Sequence, residues 1–294
     1  MAALSRFTVL PLILAAACGG SAESAPFVDD LESPTWREPG GEPSNAFLWR
    51  VEGARAPSYL LGTIHLGVDA YRELDPWVWR RLEASRALYI EADLGAIDDA
   101  SRSLLEGAPR YLPLARHHFW PQFRQLVGPA VADRLAQAPP WLGYSVALRA
   151  LFPTRHPIDD TVAKHAAERG IPVRTLESAR FQLETLARFI DGAELSSLID
   201  ENGVERQHLL ALIEAYRSGD LGRLQNAAAL DSEQDPEHHR VVFADRNRRW
   251  AQTLDDELRR GGVFVAVGVG HLFGEDNLIE LLRKRGHRVL FRAG

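Results

Sequence analysis

Twice in this chain an apolar run reaches a glycine and, three residues on, a histidine: YLLGTIH at 59–65 and VAVGVGH at 265–271. Neither run alternates apolar with polar residues. An extended segment apolar on both sides fits a strand covered above and below, the condition of a parallel sheet between helices. A third such run, ALYIEAD at 87–93, follows LDPWVWRRLEASR at 74–86. There Pro76 and helical spacing of the apolar residues predict a crossover helix, so 59–93 reads as a βαβ unit with parallel strands.

The same reading continues along the chain. AFLWRVEG (46–53) is a predicted strand. The middle has helical spacing at 121–137, 141–152, 158–170, 179–190 and 193–219, with one short strand, IPVRTLES, at 171–178. A long helix is predicted over 236–260, opened by Pro236 and closed by Gly261 and Gly262. VFVAVGVGH (263–271), a helix at 275–286 and HRVLFRA (287–293) form a second βαβ unit. The predicted fold is α/β: a central mixed sheet from two βαβ halves with a large helical insertion between them.

The first 44 residues read differently. Arg6 precedes an apolar stretch from Phe7 to Ala17, too short to span a bilayer comfortably and fitting the core of a secretory signal. It ends in LAAAC, with Cys18 the only cysteine of the chain. This resembles a bacterial lipoprotein signal, in which cleavage exposes Cys18 for lipidation; the alternative is an ordinary signal peptide cut nearby. Residues 19–44 are rich in Gly, Pro, Ser and acids and read as a flexible tether. The expected organisation is a signal over 1–18, a linker over 19–44 and one domain over 45–294. Such a protein would be exported, periplasmic or an outer-membrane lipoprotein, touching membrane only through its lipid. Beyond Cys18 there is no thiol for disulfides, thiolate metal sites or cysteine catalysis. The net charge of −6, with no basic stripe, argues against nucleic acid as a partner.

In α/β sheets ligands gather outside the carboxyl ends of the strands. Four chemically capable residues fall there: His65, Glu91, Glu177 and His271. Gly62 and Gly268, lacking Cβ, would let the backbone adopt positive φ, leave the sheet sharply and approach a ligand. Two imidazoles with carboxylates suit a divalent transition metal, which acidifies bound water to about pKa 7 in zinc enzymes. The competing reading is two histidines that close strand ends on backbone groups. A carboxylate ending a buried strand, as Glu91 does, needs a partner and favours a site.

The set YLLGTIHLG, LYIEADL, TLESARFQLETL, ADRNRRWA, VFVAVGVGHLFG and LLRKRGHRV, in this order and spacing, resembles the TraB/GumN family, over residues 46–292. The family is related to the Tiki metalloproteases, which act outside the cell on a secreted signalling protein; TraB-type members are linked to shutting down a peptide pheromone. The resemblance implies a fold related to erythromycin esterase and the haem-binding ChaN proteins. It implies two Gly-x-x-His motifs at Gly62–His65 and Gly268–His271, an acid at Glu91, Leu176–Glu177 followed by Gln182, and an Arg-Asn pair at Arg246–Asn247. On that basis His65, His271 and Glu91 would hold a divalent metal (Mn, Co or Zn), with Glu91 alternatively the general base. Glu177 would serve as second-sphere carboxylate or proton donor. Arg246 would stabilise an oxyanion, anchor a substrate carboxylate or pair with Glu177 or Glu91. Asn247 points about 100° from Arg246 on a helix and so takes a different role.

The expected activity is metal-dependent hydrolysis, most plausibly of a peptide or protein. The alternative is a non-catalytic protein holding a peptide or haem in the same pocket. The histidine pairs in RHH (116–118) and EHHR (237–240) read as surface residues, and Trp77 and Trp79 as packing at the start of the crossover helix.

Overall fold

The computed structural model describes residues 35–36, 47–53, 55–93, 101, 104, 111–226 and 235–292. The signal, Cys18 and most of the tether lie outside the described residues. Seven strands form one sheet: β1 (Thr35–Trp36), β2 (Leu48–Val51), β3 (Ser58–Thr63), β4 (Ala87–Ile90), β5 (Val173–Thr175), β6 (Val263–Gly268) and β7 (Val289–Arg292). Their order is β1-β7-β2-β3-β6-β4-β5. β2 runs antiparallel to both neighbours, and every other pairing is parallel. The sheet is therefore mixed, as expected. The two βαβ units are not separate halves, however. β6 lies between β3 and β4, and β2 and β3 lie between β6 and β7.

The unbroken apolar runs have the expected cause: every residue of β3, β4 and β6 is buried. β5 is the sheet's edge, and its three residues are exposed. Helices cover the sheet: α1 (Ala70–Glu73), α2 (Pro76–Glu83), α3 (Trp120–Val127), α4 (Pro129–Leu135), α5 (Pro140–Leu151), α6 (Ile158–Glu168), α7 (Ala179–Ala187), α8 (Gly192–Ile199), α9 (Val204–Ser218), α10 (Pro236–His239), α11 (Asp245–Arg260) and α12 (Leu278–Lys284). α3 to α9, with β5 among them, form the insertion between β4 and β6.

Several predicted helices are broken where local chemistry dictates. Residues 121–137 split at Gly128, whose φ of 84° no helix accommodates. Residues 193–219 split between α8 and α9 at Asp200–Gly203, where the Asn202 N–H turns back onto the Asp200 carboxylate. The helix over 236–260 carries a π segment at Arg240–Ala244, and α11 follows directly. π turns recur at functional sites because the widened turn frees carbonyls and re-aims side chains. The histidine pair at its start is also not on the surface: His238 and His239 are buried against Phe189 and Phe243, and the Glu275 carbonyl meets His239 Nε2 at 2.9 Å.

Candidate functional site

β3, β6, β4 and β5 are parallel and consecutive in the sheet. Their carboxyl ends therefore share one rim, and the residues that follow them, His65, His271, Glu91 and Glu177, are delivered together. Register refines this: Thr63 pairs with Gly268, and Ile90 with both Ala266 and Thr175. β6 leaves the sheet through a 3₁₀ turn, Val269–Leu272, which carries His271.

The two motif glycines act differently from expectation. Gly62 is extended within β3, and Gly268 has φ of −51°. Neither uses positive φ. A Cβ on Gly62 would lie 3.0 Å from Val269 and Leu272, so its job is to let the β6 turn pack onto β3. The Gly268 N–H donates to Glu91 Oε1 at 2.7 Å. The positive φ falls later, at Gly67 (68°) and Gly274 (78°).

His65 is 3 % exposed. Its Nδ1 bonds Asp159 Oδ2, and Asp159 Oδ1 accepts from the Thr63 hydroxyl at 2.6 Å. Asp159 stands in the first turn of α6. The loop after His65 is tied to the chain just before that helix, Gly67 N–H to Thr154 Oγ1 at 2.7 Å and His156 to Asp69 at 2.9 Å. The opposite ring nitrogen, Nε2, is buried with no partner among the described residues. Burial pushes the His65 pKa down, but the charge and hydrogen bond of Asp159 outweigh it, and the net shift is upward.

His271 is held from both sides. Nδ1 donates to Asn247 Oδ1 at 2.8 Å, and Nε2 accepts from Arg246 Nη1 at 3.1 Å. Arg246 and Asn247, adjacent on α11, thus serve opposite nitrogens of one ring. Asn247 in turn donates to the Asp276 carbonyl at 3.1 Å, and Asp276 has φ of 51°, alone among the described non-glycine residues in being positive. Trp250 and Phe243 flank the imidazole, their ring centroids 4.3 and 5.1 Å away. Burial and the Arg246 charge push its pKa down to about 3, so His271 is neutral at physiological pH.

Arg246 is the hub. Its Nη2 reaches Glu91 Oε2 at 2.9 Å and Glu177 Oε1 at 2.6 Å; its Nε reaches Glu177 Oε2 at 3.0 Å; its Nη1 also bonds the Val242 carbonyl of the π segment at 2.9 Å. The guanidinium lies 4.7 Å over the Trp250 ring. Gln182, from the α7 turn capped by Ser178, donates to Glu91 Oε2 at 2.8 Å. Burial alone raises the Glu91 pKa; His271, Arg246, His65 and the Gly268 N–H outweigh it and hold the group below its ordinary value. Burial pushes Glu177 the other way, upward, against the Arg246 charge. Two carboxylates on one guanidinium are thereby driven apart, a pattern that separates a base from an acid.

Of the residues named from sequence, Glu91, Glu177, Gln182, Arg246, Asn247 and His271 form one buried hydrogen-bonded cluster, while His65 bonds Asp159 and is linked to Glu91 and His271 by charge; two features were missed. Asp159 was passed over inside IDD at 158–160, and the acids of a helix start read simply as complements to its dipole. The π segment that presents Arg246 has no sequence signal of its own. Among the described residues no group of three His, Cys, Asp or Glu is spaced to grip a metal ion directly. Even so, the donor chemistry suits one. Both imidazoles commit Nδ1 to a fixed oxygen and keep a buried Nε2, as metal-ligating histidines do, and His271 Nε2 lies 3.8 Å from Glu91 Oε1.

Residues 47–290 match the model of the TraB/PrgY/gumN family. The chain belongs to that family. Relatives in Shigella flexneri and in Escherichia coli K12, each described as "Uncharacterized protein YbaP", are 25 % identical over 253 residues, covering 81 % of this chain and 94 % of theirs. Membership rests on the stretch containing both Gly-x-x-His motifs, Glu91, Glu177 and the Arg-Asn pair.

Proposed function

We propose that this TraB/PrgY/gumN protein is a metal-dependent hydrolase acting on peptides. The observation that carries the reading is the Nε2 of His65, buried and without a partner among the described residues while Asp159 fixes the other nitrogen. A buried polar atom without a partner is costly, and a cation at this position would satisfy it. Charge agrees. Two carboxylates, Glu91 and Glu177, share one guanidinium, and a third, Asp159, stands behind His65, so acids outnumber the arginine around the two imidazoles.

His65 Nε2, His271 Nε2 and Glu91 Oε1 would hold the ion, which when bound supplies Lewis acidity toward a carbonyl and lowers the pKa of water. Mn, Co and Zn all accept such a donor set. The chain's own groups do the rest. Glu91, kept ionised, either completes the metal shell or, outside it, takes a proton from water. Glu177, its pKa raised, returns one to a leaving amine. Arg246, whose five N–H groups are all engaged, offers its positive charge to negative charge developing on a substrate oxygen. Asn247 and Asp159 orient the two imidazoles.

The test is metal analysis of the purified protein, with cleavage of a quenched-fluorescent peptide library by metal-loaded wild type and by His65→Ala. The reading expects both bound metal and cleavage to vanish in the variant. Cleavage that persists in chelator, or metal retained by His65→Ala, would reject it. We also propose export with lipidation at Cys18, resting on the Phe7–Ala17 run and LAAAC. Among the described residues no helix is long and apolar enough to cross a membrane. Mass spectrometry of the mature N-terminus decides this, and an unmodified Cys18 in the mature chain rules the lipid out.

A further inference from the structure

An imidazole nitrogen has one lone pair. That of His271 Nε2 is taken by Arg246 Nη1 at 3.1 Å. Nδ1 cannot substitute, since it donates to Asn247, whose own amide is anchored on Asp276. We infer that Arg246 is a built-in competitor of the divalent cation, and that metal and guanidinium hold His271 Nε2 by turns. This rests on the metal reading above and specifies what limits the site's affinity.

The surroundings make the exchange cheap. Four bonds hold the guanidinium besides the one to His271: Val242 O on Nη1, Glu91 and Glu177 on Nη2, and Glu177 on Nε. Arg246 can release the imidazole and remain paired with Glu177, at the loss of one neutral acceptor. Trp250 beneath it supplies a flat face along which the planar group can slide. While no ion is bound, the arginine covers the lone pair and offsets part of the carboxylate charge, so the buried cluster does not stand open to any passing cation. His65 has no such guard among the described residues, where its buried Nε2 meets no hydrogen-bond partner. The two histidines would thus be ready for metal at different times, His65 first and His271 on the arginine's departure.

The experiment titrates zinc calorimetrically into metal-free wild type, R246K and R246Q, and follows ¹⁵N-labelled histidine by NMR in wild type. Lysine keeps the charge but cannot hold the carboxylates and His271 together in a planar fork. Competition for the lone pair requires both variants to bind zinc more tightly, by about tenfold for one released hydrogen bond. It also requires zinc to shift the His271 Nε2 resonance of wild type while Nδ1 stays protonated. Simple repulsion between charges requires a gain in R246Q alone, which overturns the inference. So does a wild type that binds zinc without moving His271 Nε2, and this result leaves the metal reading standing. If zinc binds neither wild type nor R246K, the metal reading and the inference fall together. The spectra of wild type keep the test decisive should R246Q not fold.

Discussion

The two Gly-x-x-His motifs are alike in sequence and opposite in electrostatics. His65 leans on a carboxylate and its pKa rises; His271 leans on an amide, faces a guanidinium and has its pKa pushed down to about 3. Both nonetheless use the same tautomeric device, Nδ1 spent on a fixed oxygen and Nε2 kept buried. What the comparison teaches is that the motif specifies where an imidazole sits, while elements distant in sequence decide how strongly it holds a proton or a cation. Asp159 comes from α6 and Asn247 from α11, so each histidine answers to a different helix.

Replacing either histidine is the largest disturbance. His65→Ala and His271→Ala should each abolish stoichiometric zinc binding in calorimetry; if one alone does so, the two motifs are not a pair. Next are the orienting residues. Asp159→Ala and Asn247→Ala should each weaken metal binding by about 10- to 100-fold, the usual toll of losing the group behind a ligand. Only Asp159→Ala should also lower the His65 pKa in an NMR titration. An equal change at both imidazoles would erase the electrostatic contrast.

Stability against pH sharpens the same contrast. For His271 the folded pKa is depressed, so the unfolded chain binds more protons between about pH 3 and 6.5, and its contribution to stability is lost as pH falls through that window. His65 has a raised folded pKa. Its contribution is complete below the ordinary imidazole value of 6.5 and is lost as pH rises through the folded value. Urea unfolding of His271→Asn should therefore show an acid limb shallower by up to about 1.4 kcal/mol per pH unit than wild type. A limb of unchanged slope would mean that His271 is not held neutral by the fold.

Smaller effects concern packing. Gly62→Ala should cost about 1–3 kcal/mol in urea unfolding, because its Cβ would press on Val269 and Leu272 of the turn carrying His271. A neutral result would show that the turn can retreat. The smallest change is expected on the solvent side of α6, where Lys164 and Glu168 pair at 3.9 Å. Lys164→Ala should stay within about 0.5 kcal/mol of wild type, against the large loss at Asp159 on the same helix.

Much of this arrangement was legible in sequence. Buried parallel strands show as unbroken apolar runs, and a polar residue just past such a run must lie at the sheet's rim, so His65, Glu91 and His271 could be placed from sequence; Glu177 follows the exposed edge strand β5 and is placed by the short-strand reading of IPVRTLES. Asp159 could not. Its bond to His65 joins residues 94 apart, and nothing in IDD tells which acid turns inward. The strand order was also hidden. Each βαβ unit is a local pattern, whereas the insertion of β6 between β3 and β4 depends on pairings across the whole chain. His238 and His239 were misjudged because the rings against them come from Phe189, in the turn after α7, and from Phe243, within the π segment.

That middle position of β6 bears on how the molecule is made. The strand it bonds most extensively, β3, was synthesised long before it, and the Val263 amide reaches back 205 residues to Ser58. Until about the last tenth of the polypeptide emerges, β3 and β4 have a gap between them, two apolar edges without a neighbour. Such high contact order slows closure and leaves edges that invite aggregation. A nascent or prematurely terminated chain would leave those edges open and would lack His271, since the strand that completes the sheet also delivers it.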